Sequence, residues 1–130
     1  MYKPCIGRIF SFTSKKQNKN FIIPSIITKL KKRSKYLVFK NLNHERDFLR
    51  LDDVIFYILK LLVKKTKGIF NICSGEKINL LDILHILNSK YKKNIIIKND
   101  SKKTSLYGSN KKINKIIQGK KRFNYLNYLF

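Results

Sequence analysis

The stretch from Arg46 to Glu76, RDFLRLDDVIFYILKLLVKKTKGIFNICSGE, constrains the fold more than any other part of the chain. Val54, Ile55, Ile58, Leu61 and Leu62 lie three and four residues apart within it, a spacing that lines one face of an α-helix. Asp52 stands where an N-cap is wanted. Lys64, Lys65 and Lys67 suit the negative end of the helix, and Gly68 breaks it. Ile69 to Cys73 follows at once as a strand, short and apolar enough to be buried.

The same alternation runs along the rest of the chain. Cys5 to Phe12 reads as a strand, rich in Ile and Phe and preceded by Pro4. The polar, lysine-rich Thr13 to Asn20 reads as a loop. Pro24 sits where its missing N–H costs nothing, in the first turn of a helix striped by Ile26, Ile27 and Leu30 that runs into Lys29 to Arg33. Tyr36 to Phe39 is a further strand, followed by a polar turn from Lys40 to Glu45. Asn79, three before Asp82, opens a capping-box-like helix with the stripe Leu80, Ile83, Leu84, Leu87, Tyr91. Asn94 to Lys98 is a strand, Lys111 to Ile117 a short helix, and Gln118 to Phe130 has no period. Strand and helix in turn imply an α/β fold, and 130 residues imply one domain; whether the sheet is one or two stays open.

A formal charge of +23 points toward polyanions, and a small basic nucleic-acid-binding protein is one reading of it. The composition offers a duller cause. Alanine is absent and 25 of the 30 basic residues are lysine, the profile that A/T-rich codons produce unaided. The lysines also fall singly on solvent faces, without a stripe of interleaved aromatics, so nucleic acid is the minority reading. Val54 to Val63 is too short to span a bilayer, and the first residues have no signal-peptide pattern, so a cytoplasmic chain is expected. Cys5 and Cys73 complete no metal spacing with His44 and His85; the expectation is no metal and two buried free thiols.

Arg46 is the sharpest single candidate. Its planar fork of donors suits diphosphate oxygens better than an ammonium does. The plain alternative is a surface arginine paired with Glu45 or Asp47. Tyr36, Tyr57 and Tyr91 read as packing residues, His85 as a packed histidine and His44 as part of a solvated turn.

Three groups of residues carry a family resemblance. Arg46-Asp47-Phe48 followed by Leu51-Asp52-Asp53-Val54 resembles an R-D-[FWY] motif with a V-D-D-like helix start. Gly68-Ile69-Phe70-Asn71-Ile72-Cys73-Ser74-Gly75 resembles G-[IV]-[FY]-N-[IV]-G-S-G, with Cys73 where glycine is usual. Arg8-Ile9-Phe10-Ser11-Phe12-Thr13 resembles R-x-F-N-x-Y, with Ser11 for the asparagine and Ser14 for a later glycine. Together they resemble the extended short-chain dehydrogenase/reductases acting on nucleotide sugars, the NAD-dependent epimerases/dehydratases, over residues 5–117. Phe21-Ile22-Ile23-Pro24-Ser25 is most similar to the branch containing the GDP-4-keto-6-deoxy-mannose reductases.

That resemblance implies the C-terminal portion of an extended Rossmann-type fold, a small sheet with packed helices, across residues 1–130. Residues 1–14 would be the last strand region of an otherwise missing cofactor domain, and 118–130 an unassigned tail. It implies a bound nucleoside-diphosphate sugar, with Arg46 on the diphosphate, Ser11 facing the phosphates, Ile23 and Pro24 flanking the base, and Lys103 as a point charge where the family carries an Arg-Pro segment. NAD or NADP is implied for the full-length enzyme. None is expected to bind this chain alone, because its glycines are scattered and make no glycine-rich turn. The family's Tyr-x-x-x-Lys pair is also missing from its place before the Arg8 strand; Tyr107 and Lys111 have the spacing but lie downstream. The implied chain is a truncated or split enzyme, inactive alone, with an unpaired apolar edge at Cys5 to Phe12 open to a separate cofactor-domain chain.

Overall fold

The computed structural model describes residues 3–117. In chain order these form β1 (Cys5–Ile9), β2 (Ser11–Thr13), α1 (Ile22–Leu30), β3 (Tyr36–Lys40), β4 (Glu45–Arg46), β5 (Phe48–Arg50), α2 (Leu51–Val63), β6 (Gly68–Ile72), β7 (Ile78–Asn79), α3 (Leu80–Tyr91), β8 (Asn94–Lys98), β9 (Ser105–Leu106) and α4 (Lys111–Ile116). The chain is α/β, as its alternation implies, and divides into two compact units.

The first unit holds residues 3–14, 47–77 and 106–117. β1 runs parallel to β6, from Cys5 opposite Gly68 to Ile9 opposite Ile72, and β2 runs parallel to β5, with Ser11 opposite Phe48. Parallel partners need a long connection rather than a hairpin, and the connection from β1 to β6 ends with α2. Leu49, Val54, Tyr57, Leu61, Phe70, Ile72, Ile113 and Ile117 make one buried cluster. In the second unit, residues 15–46 and 78–105, β3 runs parallel to β8 and α1 packs on α3. β4 lies between β7 and β9, antiparallel to β7. Ile23, Ile26 and Leu30 of α1 and Leu80, Ile83, Leu84 and Leu87 of α3 are buried.

Local signals carried most of this. Asn79 caps α3, its side chain accepting from Leu81 N at 2.9 Å. Pro24 falls in the first turn of α1, where no helical partner is lost. Several expectations need correction. The expected strand Cys5 to Phe12 is two strands, because the pairing partner changes at Phe10: Phe10 N still donates to Ile72 O at 3.1 Å, and Ser11 opens the ladder with β5. The residue capping α2 is the extended Arg50, so Asp52 sits inside the first turn. Ile55 and Leu62 are 45% and 64% exposed, since α2 is rotated to bury Asp53, Val54, Tyr57 and Leu61. Tyr57 takes the interior at 0% exposure, and Arg50 neutralises the inward Asp53 through bonds of 3.0 and 3.1 Å. Gly68 begins β6 rather than ending α2; the chain has already turned at Lys65, with φ of 48°. His85 is exposed, one step off the buried stripe of α3. The tail 118–130 lies outside the described residues.

Only one of the two thiols is buried. Cys5 is exposed because every residue of β1 is exposed, whereas Cys73 is at 0%. Burial pushes the Cys73 thiol up from 9.0 to about 11, helped by the negative Asp47 and opposed by the Gly75 amide. The folded state therefore keeps this proton when the unfolded chain has lost it, so its contribution to stability is present below pH 9 and fades as pH rises through about 11. A thiol-reactive disulfide reagent at pH 8 should titrate one cysteine per native chain promptly and the second only after denaturation. Two fast thiols would contradict this packing.

Candidate functional site

Arg46 ends β4 and is half-buried. Register with β7 sets it opposite Ile78, so its backbone is fixed on one side. Its Nη1 donates to the carbonyls of Glu45 at 2.7 Å and Thr104 at 3.3 Å. The two acids beside it are engaged elsewhere. Glu45 pairs with Lys103 at 3.1 Å, and Asp47 accepts from Ser74 and Gly75. Among the described residues no carboxylate neutralises Arg46, and its Nη2 and Nε have no partner. The local ion pair that would make Arg46 an ordinary surface residue is absent among the described residues. A guanidinium anchored by one nitrogen presents its remaining edge as a pair of donors, the geometry that two oxygens of a phosphoryl group accept.

Lys103 is exposed and tied to Glu45, which spends part of its charge. In the same unit an open groove of about 480 Å³ is lined by Ile22, Ser25, Ile26, Lys29, Val38 and Leu42 with their neighbours. Lys29 Nζ lies 4.9 Å from the centroid of the Phe39 ring and donates to Val38 O. Pro24 is half-buried and Ile23 is 1% exposed, so Ile23 packs the interior while Ile22 and Ser25 line the groove.

Ser11 belongs to the other unit. It opens β2, is half-buried, and lines a shallow depression with Ile9, Phe10 and Leu106. Its hydroxyl makes no hydrogen bond among the described residues.

Sequence reasoning missed Asp47 and His44. Asp47 is 1% exposed. Its Oδ1 accepts from Ser74 N at 2.7 Å and Ser74 Oγ at 2.8 Å. Its Oδ2 accepts from Gly75 N at 2.9 Å and, at longer range, from Gly108 N at 3.4 Å. An acid beside the candidate arginine was the available signal, but only the fold reveals donors 27 or more residues away. His44 is no solvated turn residue: it is half-buried and bonded to Thr104 and Ser101.

A pyrophosphate-binding dinucleotide needs free amides in a glycine-rich turn. The described residues do not fit that group. Gly68 N donates to Pro4 O, and the amides of Gly75 and Gly108 serve Asp47. Gly108 is small for packing: an added Cβ would come within 2.7 Å of the Phe10 ring and 2.8 Å of Cys73 Sγ. No group of three or more His, Cys, Asp or Glu that could hold a metal occurs among the described residues, and no helix there is long and apolar enough to cross a membrane.

Known proteins resemble this chain in sequence and in fold. GDP-6-deoxy-D-talose 4-dehydrogenase of Aggregatibacter actinomycetemcomitans is 29% identical over 83 residues, 63% of this chain and 28% of that protein. The fold is similar to RMD from Pseudomonas aeruginosa complexed with NADPH, with a TM-score of 0.82 and 21% identity over 96% of this chain and 45% of that one. It is also similar to DesIV, the dTDP-glucose 4,6-dehydratase of Streptomyces venezuelae with NAD and TYD bound (TM-score 0.80, 17% identity, 96% and 41% covered). A UDP-N-acetylglucosamine 4-epimerase from Methanobrevibacter ruminantium, in complex with UDP-N-acetylmuramic acid, gives 0.81 at 15% identity, covering 98% and 44%. The chain thus spans less than half the length of each of these proteins. The model of the GDP-mannose 4,6 dehydratase family matches residues 2–125, nearly the whole sequence. With that match over nearly all of its length, the chain belongs to the GDP-mannose 4,6 dehydratase family.

Proposed function

We propose that this chain is the substrate-binding portion of an NAD(P)-dependent nucleotide-sugar epimerase, dehydratase or reductase, and that it binds the nucleoside-diphosphate sugar. One observation carries the reading: Arg46 has an anchored nitrogen, a free donor edge and no carboxylate partner among the described residues. In its role Arg46 holds the diphosphate, and Lys103 adds positive charge from the neighbouring loop. The segment around Ile23 and Pro24 flanks the base, with the adjoining groove large enough for a ring system.

Hydride transfer needs a nicotinamide, and among the described residues no glycine-rich turn offers its pyrophosphate a cradle. This chain alone is therefore inactive. A separate cofactor-domain chain is the partner that would complete it, and β1 is where it would join. All five residues of β1 are exposed, it pairs with β6 on one edge, and among the described residues no strand takes the other edge.

Calorimetric titration of the purified chain with GDP, UDP and dTDP, each against its monophosphate, tests the binding role. A diphosphate should bind at least about tenfold tighter than its monophosphate, since two phosphoryl groups engage the fork and the adjoining charge. Equal affinities would contradict the role of Arg46. Turnover of any nucleotide sugar with NADH or NADPH by the isolated chain would overturn the claim of inactivity.

A further inference from the structure

We infer that His44 is a positioning residue for Arg46, acting through Thr104; the inference rests on the diphosphate role of Arg46 proposed above. The segment 41–46 is fastened to 98–104 almost residue by residue. Asn41 N donates to Lys98 O at 2.8 Å. Asn41 Oδ1 accepts from Asp100 N at 2.9 Å and Ser101 N at 3.2 Å. Asn43 Nδ2 donates to Ser101 O at 3.1 Å. Next comes His44, whose Nδ1 accepts from Thr104 N at 3.1 Å with Thr104 Oγ1 at 3.0 Å. Glu45 N then donates to Thr104 O at 2.9 Å, the carbonyl that also receives Arg46 Nη1.

Thr104 is thus held from both sides, its amide by the imidazole and its carbonyl by the strand that carries Arg46. The geometry assigns the tautomer as well. A nitrogen that accepts from a backbone N–H carries no proton, so the imidazole proton is on Nε2, facing Ser101 Oγ at 3.4 Å. The backbone that carries the ring is held as well, because the His44 carbonyl accepts from Leu80 N at 3.0 Å at the start of α3. Without the Nδ1 acceptor, Thr104 N–H turns to water, its carbonyl is held by Glu45 N alone, and its place against the guanidinium is no longer fixed from both sides. Arg46 then keeps one fixed anchor of two and swings about it, and pre-organisation of the fork is lost.

The test uses the full 130-residue chain, with GDP and UDP as probes and side-chain nitrogen NMR as a second readout. His44→Ala should weaken diphosphate binding about fivefold to tenfold, the loss of one anchoring bond. His44→Asn, whose amide oxygen falls near the place of Nδ1, should recover most of it, whereas His44→Gln, which reaches toward Nε2, should not. In the wild type the imidazole should report the Nε2–H tautomer and the Arg46 guanidinium restricted rotation; rotation should become free in His44→Ala. If Arg46→Ala abolishes binding while His44→Ala leaves both affinity and rotation unchanged, His44 has no positioning role and the diphosphate reading stands. If no diphosphate binds the wild type, the diphosphate reading fails and takes the affinity role of His44 with it. Free rotation of Arg46 in the wild type, or an Nδ1–H tautomer, would overturn the inference whatever binds.

Discussion

Replacement of Asp47 by alanine should lower the unfolding free energy by about 3–5 kcal/mol, a large fraction of the roughly 5–15 kcal/mol that folded domains possess. The carboxylate is buried and satisfies two amides and a hydroxyl within 2.9 Å. Truncation would leave the buried amide of Ser74 and the half-buried amide of Gly75 without their acceptor, and a fully buried orphan costs about 1–3 kcal/mol. Asp47→Asn discriminates charge from shape. The amide keeps the volume but sets a donor against Gly75 N–H, so a smaller loss of about 1–3 kcal/mol is expected. Urea unfolding followed by circular dichroism reads both, as a shifted midpoint with an unchanged slope. A change under 1 kcal/mol for the alanine variant would mean that the turn after β6 is held by something other than Asp47.

Asp47 also marks the boundary of what could be read without coordinates. Patterns confined to one element were legible: the spacing of Leu80, Ile83, Leu84 and Leu87, the Asn79 cap, and Pro24 in a first turn. Helical spacing alone could not choose between two adjacent faces of α2, since Ile55 and Leu62 are as apolar as Tyr57 and Leu61. The ion pair of Arg50 with Asp53, which lets an acid face inward, decided it. Partner exchange at Phe10 depends on β5 and β6, far along the chain, and leaves no mark on the local run of apolar residues. The bonds of Asp47 to Ser74 and of His44 to Thr104 cross 27 and 60 residues, beyond any spacing rule. Of the candidate site, the position of Arg46 was visible in its motif. Its freedom from Glu45 and Asp47 was not, because that depends on where those two acids find other donors.

Charge reversal at that position should have the larger functional effect. Arg46→Glu removes the free donor edge and sets a carboxylate against phosphoryl oxygens, so diphosphate affinity should fall on the order of a hundredfold or more. Arg46→Lys keeps the charge but not the fork, and should recover only part of the loss. Stability should change little, since a half-buried side chain with two carbonyl contacts contributes about one hydrogen bond's worth. The variant lowers a formal charge of +23 by only two, so adsorption of anions to the many lysines is nearly unchanged.

That contrast gives the most direct experiment. Wild type and Arg46→Glu are titrated side by side at about 0.15 M salt, where bulk electrostatics is screened beyond about 8 Å, with GDP or UDP and with a single-stranded oligonucleotide. A guanidinium that clasps the diphosphate predicts nucleotide binding lost in the variant and oligonucleotide binding unaltered. Equal nucleotide affinity in the two proteins, with both ligands following salt alone, would contradict it and leave the lysine-rich surface as the only anion binder.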